Sequence, residues 1–401
     1  MTSRERIEVQ PSHEGSRRAS VAKGVSCGLR GCAALAVLLG HLSIALAASL
    51  GPITVIYNGN FGVCVFFILS GYVLSGLAAT ARLSLAAQSV RRYLRLMIPI
   101  LLTSTIAWAL LWIGAYQNKA AGEIVGSWWM GAWYNFEPSF TDMVWQSVYG
   151  CFVGNQPTYN SNLWTMQPEL VGSFYVFLIR AISGNRYVRA ALLLLWAGAS
   201  LTNYFPLFAA GALLFEFEAD IRQCWEKPKS ALSRGPIIVA LVVVAVYLGG
   251  LYDTQPGRAL PRLYGWLPQF AADNAMRWHQ FGALAAMLAV LLSPLLQLVF
   301  GSAPGRYLGR ISFVMYLLQL PVICSYTAWV IVSMEGYGRL QVAAVAGIST
   351  VGLIFLVSSL SVRLIDDSAV RLSRLAGRGF DGLFPDRPPA QDEAWVRLRS
   401  N

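Results

Sequence analysis

Arg30 and His41 interrupt an apolar run, "LRGCAALAVLLGHLS" from Leu29 to Ser43, eleven positions apart. A helix turns about 100° and rises about 1.5 Å per residue, so the two share one face to within about 20°, with His41 about 16 Å farther along the axis. That depth is close to the middle of a bilayer, where an imidazole is costly unless it faces a bundle interior or a wet cavity. A neutral imidazole takes a hydroxyl proton near neutral pH, which makes general-base chemistry the natural functional reading of His41. A buried ring that only hydrogen-bonds a neighbouring helix is the plainer alternative.

Three further stretches carry candidate chemistry. "NLWTMQPELVGSFYVF" opens an apolar stretch with Glu169 about one turn inside its outer end, placed to orient an imidazole, to bond an acceptor sugar or to cap the turn after Pro168. "RRYLRLMIP" sets Arg91, Arg92 and Arg95 on one side of a helical turn. Their forked donors match phosphate oxygens, and plain positive anchoring explains them equally well. In "GNFGVCVFFILSGYVLSG", Gly71 and Gly76 suit close helix packing, while Ser70 could line a cavity but has no local base to make it a nucleophile. Ser70 and Trp164 are the candidates for acceptor contact.

These residues need a membrane scaffold. Of 401 residues 56% are hydrophobic and 13% charged, with a mean hydropathy of +0.51, which points to an all-α, polytopic membrane helical bundle. With about 20 apolar residues per crossing, ten spans are expected, near residues 29–50, 61–80, 97–116, 163–179, 190–202, 205–217, 236–251, 281–300, 311–332 and 342–362. The net charge of +11 does not gather on a soluble module, which argues against nucleic acid. With a cytoplasmic N-terminus, 26 of the 31 Lys and Arg residues fall inside; the outer loops hold Lys119, Arg258, Arg262, Arg277 and Arg339. That bias places both termini inside.

Residues 1–26 read as a disordered basic tail, 27–364 as one membrane domain and 365–401 as a cytoplasmic tail, with room for a short amphipathic surface helix near Arg371. The length of the first span argues against its cleavage as a signal. An aromatic-rich outer connection, residues 117–162, is read as an interfacial belt, with sugar stacking the alternative. His279, Glu216, Glu218 and Asp220 are read as solvated boundary residues. The six cysteines suggest neither a disulfide nor a thiolate metal site. A phosphate loop, a dinucleotide turn and a zinc-protease helix motif are all missing.

Taken in order, Arg30 to His41, "GVCVFFILSGYVL", "RRYLRLMIP", "LWTMQPE", "FPLFAAGALL" and "LGRISFVMYLLQLPV" resemble the membrane-bound acyltransferase-3 family of multi-span O-acyltransferases. The resemblance implies ten spans in the inner membrane and transfer of an acyl group, commonly acetyl, to a hydroxyl, often of a sugar. It implies acyl-coenzyme A (acetyl-CoA) as co-substrate, with no bound cofactor and no metal. It also implies His41 as catalytic base, Arg30 as its essential partner, and Arg91, Arg92 and Arg95 at the donor's phosphates. Three features depart from the family pattern: Cys64 stands where many members have Asp, Gln319 where the late span often has His, and the gap from Glu169 to Phe174 and Tyr175 is longer than in the common bacterial pattern. Polysaccharide, lipopolysaccharide, a glycolipid and a small secondary metabolite all fit as acceptor, and a homo-oligomer is compatible. The rivals are a transporter or flippase of a glycolipid or solute, with Arg30, His41 and Glu169 as its path, and a non-catalytic scaffold.

Overall fold

The computed structural model describes residues 13–50, 53–81, 83–154, 158–227, 234–251, 264–268 and 274–382. Among them there is helix and no strand. In chain order the helices are α1 His13–Ala45, α2 Gly59–Thr80, α3 Leu85–Trp112, α4 Asn118–Val125, α5 Trp128–Gly131, α6 Phe140–Trp145 and α7 Cys151–Val153. Then follow α8 Met166–Ile182, α9 Arg186–Ala199, α10 Phe205–Trp225, α11 Arg234–Gly249, α12 Asn274–Leu292, α13 Pro294–Phe300 and α14 Ala303–Val322. The last three are α15 Ala328–Ser333, α16 Arg339–Val362 and α17 Ser368–Gly382.

Among the described residues six helical stretches are long and apolar enough to cross a bilayer: Gly24–Ala45, Gly59–Thr80, Leu85–Trp112, Asn274–Leu292, Ala303–Ser333 and Arg339–Gly382. The other four expected spans are α8, α9, α10 and α11, of 17, 14, 21 and 16 residues. Six of the ten expected spans therefore meet the length-and-hydropathy requirement among the described residues, and the chain is a helical membrane protein.

The expected boundaries at residues 27 and 365 fall inside helical segments: α1 starts at His13, and a π-turn, Arg363–Asp367, runs from α16 into α17. Residues 1–12 and 383–401 lie outside the described residues.

α1 packs along α14 and α2, α2 along α10 and α12, and α17 lies across the start of α3. The buried stripe of α2, from Phe61 through Cys64, Phe67, Ile68 and Gly71, explains the absence of polar breaks along it. Two boundary assignments change. His279 is 1% exposed, with Nε2 2.7 Å from the Leu251 carbonyl and 3.1 Å from Asn58 Nδ2, because the end of α11 and the entry to α2 fold over it. Glu216 is also buried; it accepts from Arg180 at 2.6 Å and from both forks of Arg189 at 2.6 and 2.9 Å. A carboxylate can be buried there because two guanidiniums satisfy it.

Candidate active site

The segment before α8 decides where the site forms. Residues 159–165 do not complete a crossing. They enter the bundle and meet the middle of α14, about 20 Å along that helix from its start at 1.5 Å per residue. The contact has a covalent cause. Pro321 lies inside α14 and has no N–H, so the carbonyl of Leu317 loses its helical donor. Asn160 Nδ2 supplies one at 2.6 Å. Next to it, Asn162 Nδ2 donates to Tyr316 O at 3.2 Å, the Tyr316 hydroxyl donates to Asn162 O at 2.7 Å, and Thr165 Oγ1 is 2.8 Å from Tyr316 Oη. Irregular backbone at membrane depth is tolerated where protein satisfies it and it lines a cavity, and both conditions hold here.

That cavity, about 410 Å³, is lined by His41, Trp129, Trp133, Thr158, Ser161, Asn162 and Trp164. The His41 ring stacks on Trp129 with centroids 5.3 Å apart and planes 18° from parallel. Trp133 packs edge-on against Trp129 at 5.6 Å. Hydrogen bonds from the connection to α1 and within the connection fix these rings. Ser127 caps α5 at Met130 N, and its hydroxyl donates to Ile44 O at 2.7 Å, three residues beyond His41. Asn118 Nδ2 donates to Met130 O at 2.9 Å and to Trp133 O at 2.7 Å.

Behind the ring, fully buried Gln319 approaches His41. His41 Nδ1, Gln319 Oε1 and Trp133 Nε1 are buried without a hydrogen bond of good geometry. Part of the aromatic connection therefore faces inward: Trp129 and Trp133 line the cavity, whereas Trp128 is 81% exposed and fits the belt reading.

A second polar group forms nearer the start of α3. Arg92 and Ser70 both donate to Glu169 Oε1, Ser70 at 2.8 Å. Arg92 Nε also reaches Ser173 Oγ at 2.8 Å, and Ser173 passes its own proton to the Glu169 carbonyl at 2.5 Å. Arg30 is half-buried within electrostatic reach of Arg92. Arg92 is about 10 Å along α3 from its first residue and about 30 Å from its last. Glu169 thus sits toward the basic end of the bundle rather than one turn below the far surface, because α8 begins deep. Glu169 meets a guanidinium and a hydroxyl rather than an imidazole.

The candidates thus separate into two sets. His41 and Trp164 share the cavity; Ser70, Glu169 and Arg92 share a hydrogen-bonded cluster with Arg30 beside it. The three arginines of "RRYLRLMIP" diverge: Arg92 enters that cluster, Arg95 pairs with Asp366 at 2.7 Å, and Arg91 faces α17. The sequence does not single out Asn160, Asn162 or Tyr316, and it offers Trp129 and Trp133 only under the sugar-stacking alternative for the aromatic connection, which the cavity favours for these two. The signal for the first three was Pro321, which frees a carbonyl inside a span that another segment must satisfy.

Fold and site together define a membrane protein of helical bundle type whose polar interior is split between a buried arginine–carboxylate cluster and an aromatic cavity holding a histidine. The chain belongs to the acyltransferase-3 family: that family's model, described as an acyltransferase domain, matches residues 28–359. It is similar to Acyltransferase R4 of Phoma sp., 22% identical over 68% of this chain and 70% of the relative. Acyltransferase clz18 of Cochliobolus lunatus is 23% identical over 75% and 76%. O-acetyltransferase PaAT-1 of Phomopsis amygdali is 24% identical over 74% and 71%. No solved structure matches. The protein is an acyltransferase.

Proposed function

We propose that the protein is an inner-membrane O-acyltransferase that moves an acetyl group from acetyl-coenzyme A to a hydroxyl of a carbohydrate or glycoconjugate, with both termini cytoplasmic. The observation that carries this reading is the His41 ring in the wall of a cavity shared with Trp129, Trp133 and Trp164, inside the family's domain. The O-acetyltransferase named among the relatives supports an oxygen acceptor and an acetyl group. Flat indole faces suit a pyranose ring.

In this mechanism the thioester arm enters from the basic end, passes Arg30 and the Arg92–Glu169 pair, and presents its carbonyl beside His41. An acceptor hydroxyl in the cavity gives its proton to an imidazole nitrogen as its oxygen bonds to the carbonyl carbon. The tetrahedral oxyanion needs a donor, and we assign that role to Trp133, a residue of the cavity wall whose buried indole N–H has no protein partner. Collapse breaks the carbon–sulfur bond, and the imidazolium returns its proton to the departing thiolate. Glu169 is a positioning residue that holds Arg92.

Purified full-length protein given radiolabelled acetyl-coenzyme A and a soluble oligosaccharide should transfer label, and His41→Ala should lose about 10²–10⁴-fold in rate, the usual worth of a general base. Equal transfer by His41→Ala would end the base assignment. Movement of unmodified acceptor across a vesicle membrane would establish the transporter instead.

A further inference from the structure

The helix α17 lies beyond the matched family domain, which stops at residue 359, yet it is built against the first turns of α3. Its buried stripe is Ala369, Ser373, Gly377 and Asp381, at helical spacing. Gly377 is the closest point: a Cβ there would lie 3.2 Å from Arg91 Cβ and 3.4 Å from the Ala87 carbonyl. Asp381 Oδ1 fixes the far end by accepting from Ser84 N at 3.0 Å.

This packing sets Arg374 and Arg378, three before and one after Gly377, beside Arg91, close enough that both charges act on the Arg91 guanidinium. Among the described residues no carboxylate pairs with any of the three. The nearby acids are committed: Asp366 to Arg95 at 2.7 Å, Asp367 to Arg310 at 2.5 Å and Asp381 to the Ser84 N–H. Arg374 and Arg378 are exposed, while Leu372 and Leu375 occupy a different side of α17, 51% and 64% exposed. The helix therefore has an apolar flank suited to lipid and an arginine flank at the aqueous edge. Like charges held together by packing cost free energy unless an anion joins them, and guanidinium groups bind phosphate oxygens.

We propose that Arg91, Arg374 and Arg378 form a phosphate-binding site, completed by a helix outside the acyltransferase domain. Its phosphates come either from the donor, in which case the inference rests on the function proposed above, or from an anionic lipid headgroup.

The test measures binding rather than turnover, so it can succeed where acyl transfer fails. Full-length protein in phosphatidylcholine nanodiscs is titrated with coenzyme A by calorimetry. Phosphatidylglycerol retention is read separately by native mass spectrometry. Arg374→Gln/Arg378→Gln should bind at least one of these probes about tenfold more weakly, with an unchanged melting temperature because both side chains are exposed. Loss confined to coenzyme A identifies the donor as the source; loss confined to phosphatidylglycerol identifies the lipid. An Arg374→Lys/Arg378→Lys variant, which keeps the charge and loses the forked donors, should bind more tightly than the Gln variant and more weakly than the unaltered protein. The proposal is overturned if neither probe is affected, or if Arg306→Gln/Lys227→Gln, which removes equal charge elsewhere, weakens binding as much.

Discussion

The imidazole of His41 and the indole of Trp129 lie face to face, 5.3 Å between centroids, although 88 positions separate them in the chain. A stacked ring of this kind holds an orientation that the flexible bond to Cβ would not. Trp129→Ala should therefore lower kcat by about 10²-fold, the usual result of an ångström-scale misplacement, and Trp129→Phe should restore much of it. Steady-state kinetics on both variants checks this; an alanine variant altered only in KM would show that the ring serves binding alone.

Trp133 lines the same cavity, and its buried indole N–H has no protein partner. Replacing it by Phe keeps most of the ring and removes the donor. A fall of about 10²–10³ in kcat, with KM little changed, is expected for loss of one oxyanion donor. An unchanged kcat would remove Trp133 from the mechanism.

Arg92 and Glu169 are both mostly buried, with side chains 17% and 15% exposed. Removing one partner leaves the other charge without compensation, so Glu169→Ala should destabilise the protein by about 3–5 kcal/mol. Removing both, in Arg92→Met/Glu169→Gln, should cost less than the sum of the single changes. Thermal unfolding of the four proteins in detergent completes the cycle, and strict additivity would show that the pair is uncoupled.

The crossing of α2 and α10 has no room for a side chain: a Cβ on Gly71 would fall onto the Phe208 carbonyl, and one on Gly211 onto the Ile68 carbonyl. Overpacking at such a site costs about 1–3 kcal/mol. Gly71→Ala and Gly211→Ala should each lower the melting temperature. Gly198→Ala, where nothing lies within 4 Å, should leave it nearly unchanged or raised.

Thiol labelling tests both burial and sidedness. Cys224 is exposed, whereas Cys151 is buried, and desolvation pushes its thiol up to about 12. At pH 8 the Cys151 thiol is therefore almost wholly protonated and unreactive, while Cys224 reacts. In inside-out vesicles a membrane-impermeant maleimide should label Cys224, and in right-side-out vesicles it should not. Labelling from the opposite side would reverse the proposed orientation.

Much of the protein was legible in the chain because hydrocarbon constrains composition so strongly. Helices of the expected kind occupy the expected apolar stretches, Gly71 stands at a tight crossing, and the ordered motifs pointed to the family that the domain match establishes. His41 drew attention for the same reason, as an imidazole at a depth where polar groups are rare. The company each residue keeps was settled by packing. A place on one side of a helical turn suggested that Arg91, Arg92 and Arg95 act together, but α8, α17 and the π-turn before it each claim a different one. A helical wheel describes only the helix that carries it. The depth of Glu169 and the cavity beside His41 likewise follow from residues 159–165 turning in to satisfy the carbonyl that Pro321 leaves open. Local propensity does not encode such a contact, because its donor and acceptor are 157 positions apart.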